Sequence, residues 1–306
     1  MSSVRWSSGD SNVYLNVNSH WFRYDTSLPP VGEGAMGLVY VGFDCVTNRK
    51  VAVKVLRQEF WADQQIRKRL KLEASLQFVH PHLVHMIGFC EDDPQNGPLF
   101  VLSEYVTGVT FRDHVDQLIG WSDKERNKKI VREFLPLFDA IGFLHANGIV
   151  HRDIKPANIM FQDGCHLKLM DLGISKANHF FDAHLKGFIG TKPFAAPEQQ
   201  VDDDIEADID ERTDIYAAGV TLSYLLVDHY PLRKNDDVSF RLRRIISKST
   251  AGDPDQRYQS ADAMRFALED YLERKVPLEK YIPQLICGVL IFALMAFLIT
   301  YLLTRY

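Results

Sequence analysis

Residues 151–171 set three polar side chains and a second carboxylate into one short stretch. His151-Arg152-Asp153-Ile154-Lys155-Pro156-Ala157-Asn158-Ile159-Met160 is followed by a turn at Asp163-Gly164 and by Leu167-Lys168-Leu169-Met170-Asp171-Leu172-Gly173. An acid, a cation and an amide on one loop, with a carboxylate beyond a short hairpin, is the set that phosphoryl transfer needs. Asp153 would orient an attacking hydroxyl and take its proton, and Lys155 would steady the moving phosphoryl group. Asn158 and Asp171 would hold a divalent cation against phosphates.

Two segments upstream supply the rest of such a site. Val31-Gly32-Glu33-Gly34-Ala35-Met36-Gly37-Leu38-Val39-Tyr40 carries glycines at the first, third and sixth positions of a turn. Without side chains there, a hairpin can close over phosphates. The same spacing occurs in dinucleotide-binding folds, but there a helix opens directly after the glycines, and here Leu38-Val39-Tyr40-Val41 reads as strand. Val51-Ala52-Val53-Lys54 is an apolar strand ending on a lysine. Residues 61–79 then have helical periodicity and many basic residues, with one well-placed acid at Glu73.

Together these segments resemble the eukaryotic-like protein kinases, and in particular the bacterial serine/threonine branch with a membrane anchor. The matching motifs are the Gly32/Gly34/Gly37 loop, the Val-Ala-Val-Lys54 strand, His80-Pro81-His82-Leu83-Val84, the His-Arg-Asp153 loop, Asp171-Leu172-Gly173 and Gly190-Thr191 through Ala196-Pro197-Glu198. The resemblance covers about Tyr24 to Leu272. It implies an α+β, bilobal protein-kinase fold, with a small β-rich N-lobe over about 22–104 and a larger helical C-lobe over about 105–272. Lys155, two residues beyond Asp153, implies Ser/Thr rather than Tyr as acceptor.

The same resemblance implies the site in detail. Lys54 would bind the ATP phosphates and pair with Glu73. The cofactors would be ATP and Mg2+, or Mn2+, with Asn158 and Asp171 as metal ligands. Val31, Val39, Ala52 and Met160 would sandwich adenine, and the backbone of Glu104 and Val106 would face its edge. Ser103 would be a small gatekeeper. Glu198 would be buried against Arg257, Asp214 would hold the catalytic loop from below, and Thr191 would bond that loop.

Three departures stand out. An acidic stretch, Val201 to Glu211, is longer than the family's usual connection and reads either as a docking strip for basic substrates or as a solvated loop. Only a short stretch separates Pro231 from Arg244, so a helix that the family uses for docking is expected to be trimmed. Between Lys176 and Gly190 there is no Ser, Thr or Tyr. A phosphate cannot be placed where Arg152 would meet one. Either Asp182 or an acid from residues 202–211 takes that role, or Arg152 is simply solvated.

The flanks complete the expectations. Residues 1–21, rich in Ser and Asn, read as a flexible leader. Residues 273–284 read as a juxtamembrane linker. Leu285–Leu303 carries no charged residue. At 1.5 Å per residue, about 19 helical residues reach roughly 28 Å, which crosses the hydrocarbon core. Arg274, Lys275 and Lys280 precede this run and Arg305 follows it. That bias predicts a single-pass protein with its catalytic domain cytoplasmic, at a bacterial inner membrane. The net charge of −5 argues against nucleic acid as a partner. Cys45, Cys90, Cys165 and Cys287 form no close pair, so they read as free thiols. The expected partners are protein substrates, the membrane, and a second copy of the chain in a homodimer.

Two rival readings are a membrane-tethered pseudokinase scaffold and a small-molecule kinase of related fold. Loss of Lys54, Asp153, Asn158 or Asp171 would favour the first, and none is lost. The Thr191–Glu198 segment with Arg257 argues against the second.

Overall fold

A computed structural model describes residues 3–34, 36–118, 120–162, 166–171, 193–200 and 209–273. The chain begins with strands β1 (Val4–Trp6), β2 (Asn12–Val17) and β3 (His20–Asp25). After β4 (Gly32–Glu33) come β5 (Gly37–Asp44), β6 (Lys50–Leu56), helix α1 (Gln64–Ser75), β7 (Met86–Glu91) and β8 (Leu99–Glu104). The strands form one antiparallel sheet in the order β1-β2-β3-β5-β6-β8-β7, with β4 paired to β5. The two ends of this order meet. Ser3 Oγ donates to Glu91 O at 2.7 Å and Asn18 Nδ2 donates to Ile87 O at 3.1 Å, so the sheet curls toward closure.

The expected leader is therefore corrected, because residues 4–17 are the first two strands of the N-lobe. The cause lies in Asn12-Val13-Tyr14-Leu15-Asn16-Val17. Its Val13, Leu15 and Val17 are at most 1% exposed, while the residues between them point away from the core. Period two is a half-buried strand whatever the share of polar residues. Asn18 and Ser19, at φ 52° and 66°, make the left-handed two-residue turn into β3 that suits a tight hairpin. Val13, Leu15, Val17, Phe22 and Tyr24 pack on Val53, Phe100 and Leu102 in a core separate from the main one.

The C-lobe opens with β9 (Gly108–Thr110), α2 (Phe111–Asp116), α3 (Asp123–Phe134) and α4 (Pro136–Ala146). Strands β10 (Ile159–Gln162) and β11 (His166–Leu169) join β9 in a small antiparallel sheet, in the order β11-β10-β9. Gly108 has to be glycine, since a Cβ there would lie 1.9 Å from Phe161 O. Helices α5 (Glu211–Val227), α6 (Phe240–Ser249) and α7 (Ala261–Glu273) complete the lobe. Residues 213–223 of α5 are buried without a break, as in a helix at the centre of a lobe. Helix α4 stops at Asn147-Gly148, where Gly148 has φ 71°. Residues 228–239 form no helix, so the docking helix expected to be trimmed is absent there.

The main core runs through both lobes, from Leu56, Leu70 and Met86 to Phe134, Leu222 and Leu268. Leu83 bridges to Leu169, which ties the segment after α1 to the hairpin that carries Asp171. The span expected at 285–303 lies outside the described residues. Among the described residues, no helix is long and apolar enough to cross a membrane.

Candidate active site

Asp214, in the first turn of α5, is fully buried and shapes the loop between α4 and β10. Its Oδ2 accepts from His151 N and His145 Nε2, and its Oδ1 accepts from Arg152 N, all at 2.8 Å. Burial alone would raise this carboxyl, but the His145 bond and the charges and amides around it outweigh burial and hold it below the carboxylate range. Those bonds fix Arg152 at φ 68°, a left-handed conformation that a non-glycine residue adopts only under constraint. His151 also bonds Met170 O at 3.1 Å, and Met170 N donates to Asn158 O at 2.7 Å. The loop and the hairpin are thereby locked together, and Asp171 projects beside Asn158 at φ 43°.

On the loop, Lys155 Nζ reaches Asp153 Oδ2 at 2.7 Å and Asn158 Nδ2 reaches the same oxygen at 2.8 Å. Asn158 Nδ2 also donates to Asp153 O at 2.9 Å. The amide nitrogen is thus committed to Asp153, which orients the amide oxygen for a cation. No group of three or more His, Cys, Asp or Glu able to hold a metal occurs among the described residues. One amide oxygen and one carboxylate suit Mg2+, which keeps several waters and takes its other ligands from phosphates.

Lys54 stands on β6 between Val39 of β5 and Val101 of β8. Its Nζ lies 3.4 Å from Asp171 Oδ1, across the cleft between the lobes. The Asp171 charge pushes the lysine pKa up and the lysine pulls the Asp171 pKa down. Glu73, on α1, is 8% exposed and makes no ion pair with Lys54 among the described residues. Burial raises its carboxyl to about 7, against the opposing pull of Lys54. The expected Lys54–Glu73 pair is therefore not formed, and Lys54 pairs instead with Asp171, the more exposed carboxylate.

The phosphate turn is a hairpin between β4 and β5. Gly34 N donates to Gly37 O at 2.9 Å and Val31 N to Val39 O at 2.8 Å. Gly37 has no room for a Cβ, which would stand 2.7 Å from Val55 O. Val31 is 57% exposed, whereas Val39, Ala52 and Met160 are partly buried. Ala52 lies opposite Ser103 across the β6–β8 pairing. At the crossing between lobes, the Glu104 side chain binds Lys168 Nζ at 2.6 Å and His85 N at 2.9 Å. Glu104 N donates to His85 O at 2.9 Å, while Val106 N makes no hydrogen bond to a described residue.

Behind the cleft, Arg257 clamps Glu198 with two bonds of 2.6 and 2.8 Å, and Thr213 Oγ1 adds a third at 2.9 Å. Two contributors were not anticipated. Gln199 accepts from Ala196 N and donates to Arg152 O, both at 3.0 Å, so it couples the end of the activation segment to the catalytic loop. Arg67 is fully buried and donates to Glu91 Oε2 at 2.7 Å and to Asp93 O at 2.8 Å, pinning α1 to the β7–β8 turn. Nothing in the sequence marks either residue, because Glu91 and Asp93 for Arg67, and Arg152 for Gln199, are brought near only by the fold. Thr191, Asp182 and residues 201–208 of the acidic stretch lie outside the described residues. Its last part has a structural role: Asp210 caps α5 by accepting from Arg212 N and pairs with the Arg212 guanidinium at 2.6 Å.

Residues 26–287 match the family model described as Protein kinase domain. The chain belongs to the protein kinase family. This kinase is 32% identical over 276 residues to the serine/threonine-protein kinase PknB of Mycolicibacterium smegmatis, covering 81% of this chain and 43% of that one. It is 31% identical over 278 residues to a probable serine/threonine-protein kinase of Streptomyces coelicolor, covering 82% of this chain and 40% of that one. The kinase thus spans about two fifths of the length of these curated relatives. In fold it is similar to the crystal structure of the Mycobacterium tuberculosis PknI kinase domain, with a TM-score of 0.61 at 23% identity, covering 88% of this chain and 98% of that one. The domain is of the bacterial serine/threonine type.

Proposed function

We propose that this chain transfers the γ-phosphoryl group of ATP to Ser or Thr hydroxyls of protein substrates. The observation that carries this reading is the convergence of Lys155 and Asn158 on Asp153 Oδ2, with Lys54 and Asp171 facing each other in the same cleft. Asp153 is held by its neighbours to receive the hydroxyl proton, and Lys155 stands beside it to meet charge on the transferred group. A divalent cation, when bound by the Asn158 oxygen and Asp171, would neutralise phosphate charge. The Gly34–Gly37 turn would cover the phosphates, and Lys54 would orient them. The Val106 amide is available to the adenine edge.

We read Leu285–Leu303 as a membrane span that leaves the catalytic domain on the cytoplasmic face. Its support is the uncharged run and the basic residues Arg274, Lys275 and Lys280 before it. Transfer of label from γ-labelled ATP to protein by the wild-type chain, and not by Asp153→Asn, tests the catalytic reading. Equal transfer by both would refute it. Release of the full chain from membranes by carbonate would refute the anchor.

A further inference from the structure

Helices α6 and α7 enclose a concavity of about 270 Å³, lined in part by Arg241, Arg244, Lys248, Tyr258 and Tyr271. The trimmed connection before α6 leaves Phe240 at its edge 74% exposed, and Phe266 on α7 is 72% exposed. In the lining, three cations face one acid, Asp270. Arg241 pairs with Asp270 at 3.2 Å, Lys248 lies 4.5 Å over the Tyr258 ring, and Arg244 has no ion-pair partner among the described residues. In sequence, Arg274 and Lys275 directly follow α7 and continue the same sign.

We infer that the α6–α7 face docks on an anionic lipid surface, with the arginines and Lys248 at the headgroups and Phe240 entering the interface. The inference rests on the anchor reading above. Residues 274–284 join α7 to the uncharged run, and eleven extended residues span at most about 40 Å. The end of α7 is then held close to the bilayer, so this face is presented to lipid at high effective concentration. Phenylalanines beside Lys and Arg match the chemistry of that boundary. Each cation near an anionic leaflet strengthens association about fivefold. Three cations offset by Asp270 would contribute roughly 25-fold on the same basis. Docking would fix the orientation of the domain at the membrane.

The test uses the full chain in nanodiscs with brominated acyl chains and reads the extra fluorescence introduced by Phe240→Trp over the wild-type background. With phosphatidylglycerol present, that signal should be quenched. It should be largely restored in phosphatidylcholine alone, at high salt, or by Arg241→Glu with Arg244→Glu and Lys248→Glu, while kinase activity in detergent stays unchanged. No excess quenching in anionic discs overturns the inference. So does shielding that is equal in neutral lipid and grows with copies per disc, which would mark a contact between copies of the chain. Retention in neutral discs reports on the anchor separately, and a chain held by neither lipid overturns both readings.

Discussion

Lys54 Nζ lies 3.4 Å from Asp171 Oδ1, and no ion pair joins it to Glu73 among the described residues. Lys54 therefore stands in the cleft beside the carboxylate that would hold the metal, placed to orient the phosphates. Lys54→Met removes that orienting charge. It should lower kcat on the order of 10²-fold or more, as loss of positioned electrostatics does. The thermal transition should change little, since the side chain is 23% exposed and its pair is open to solvent. Near-normal turnover would refute the role.

Glu73 carries the opposite signature, a buried carboxyl raised to about 7. Its folded pKa exceeds its unfolded one, so the unfolded state binds fewer protons between about pH 4.5 and 7, and stability falls with rising pH across that window. Glu73→Gln should therefore raise the melting temperature of the nucleotide-free protein, most clearly above pH 7, while lowering kcat/KM. A variant less stable than wild type at pH 8 would contradict this environment for Glu73.

The Glu198–Arg257 clamp titrates the other way. Burial opposes ionisation of Glu198, yet the Arg257 bonds, with Thr213, hold its pKa below the ordinary 4.5. The stabilisation is fully present above that value and is lost as pH falls through the folded pKa. The gap in melting temperature between wild type and Glu198→Gln should be wide at pH 7 and should narrow only as pH falls below the ordinary 4.5. Arg257→Ala leaves the carboxylate buried without its partner and should cost about 3–5 kcal/mol. Chemical denaturation of both variants gives the comparison.

The site was legible in the sequence wherever chemistry is written in short motifs. Asp153, Lys155, Asn158 and Asp171 are local to one loop and hairpin, so spacing alone brought them together. Lys54 and Glu73 were placed on the right strand and helix, but their pairing depends on the pose of α1, which no motif encodes. Arg67 and Gln199 were missed because each binds carbonyls that only the fold brings near. The N-terminal strands were missed for another reason: Ser and Asn in residues 1–21 gave a composition of loose chain, while the period-two burial of Val13, Leu15 and Val17 gave a strand.

That last point can be tested. Leu15 is fully buried between the added hairpin and the sheet, in the cluster with Val53, Phe100 and Leu102. Leu15→Ala should destabilise the protein by about 2–5 kcal/mol, the usual range for a buried leucine truncated in a core that collapses only partly. Tyr14, one residue earlier on the opposite face, is partly exposed, and Tyr14→Ala should cost much less. Removing residues 1–18 would uncover Val51, Val53 and Leu102 together, a contiguous apolar face that promotes association. The shortened chain should sediment as oligomers where the full chain does not. If Leu15→Ala and Tyr14→Ala melt alike and the shortened chain stays monomeric, the hairpin contributes nothing to the core. The N-lobe would then begin just after β3, where the family match starts at residue 26.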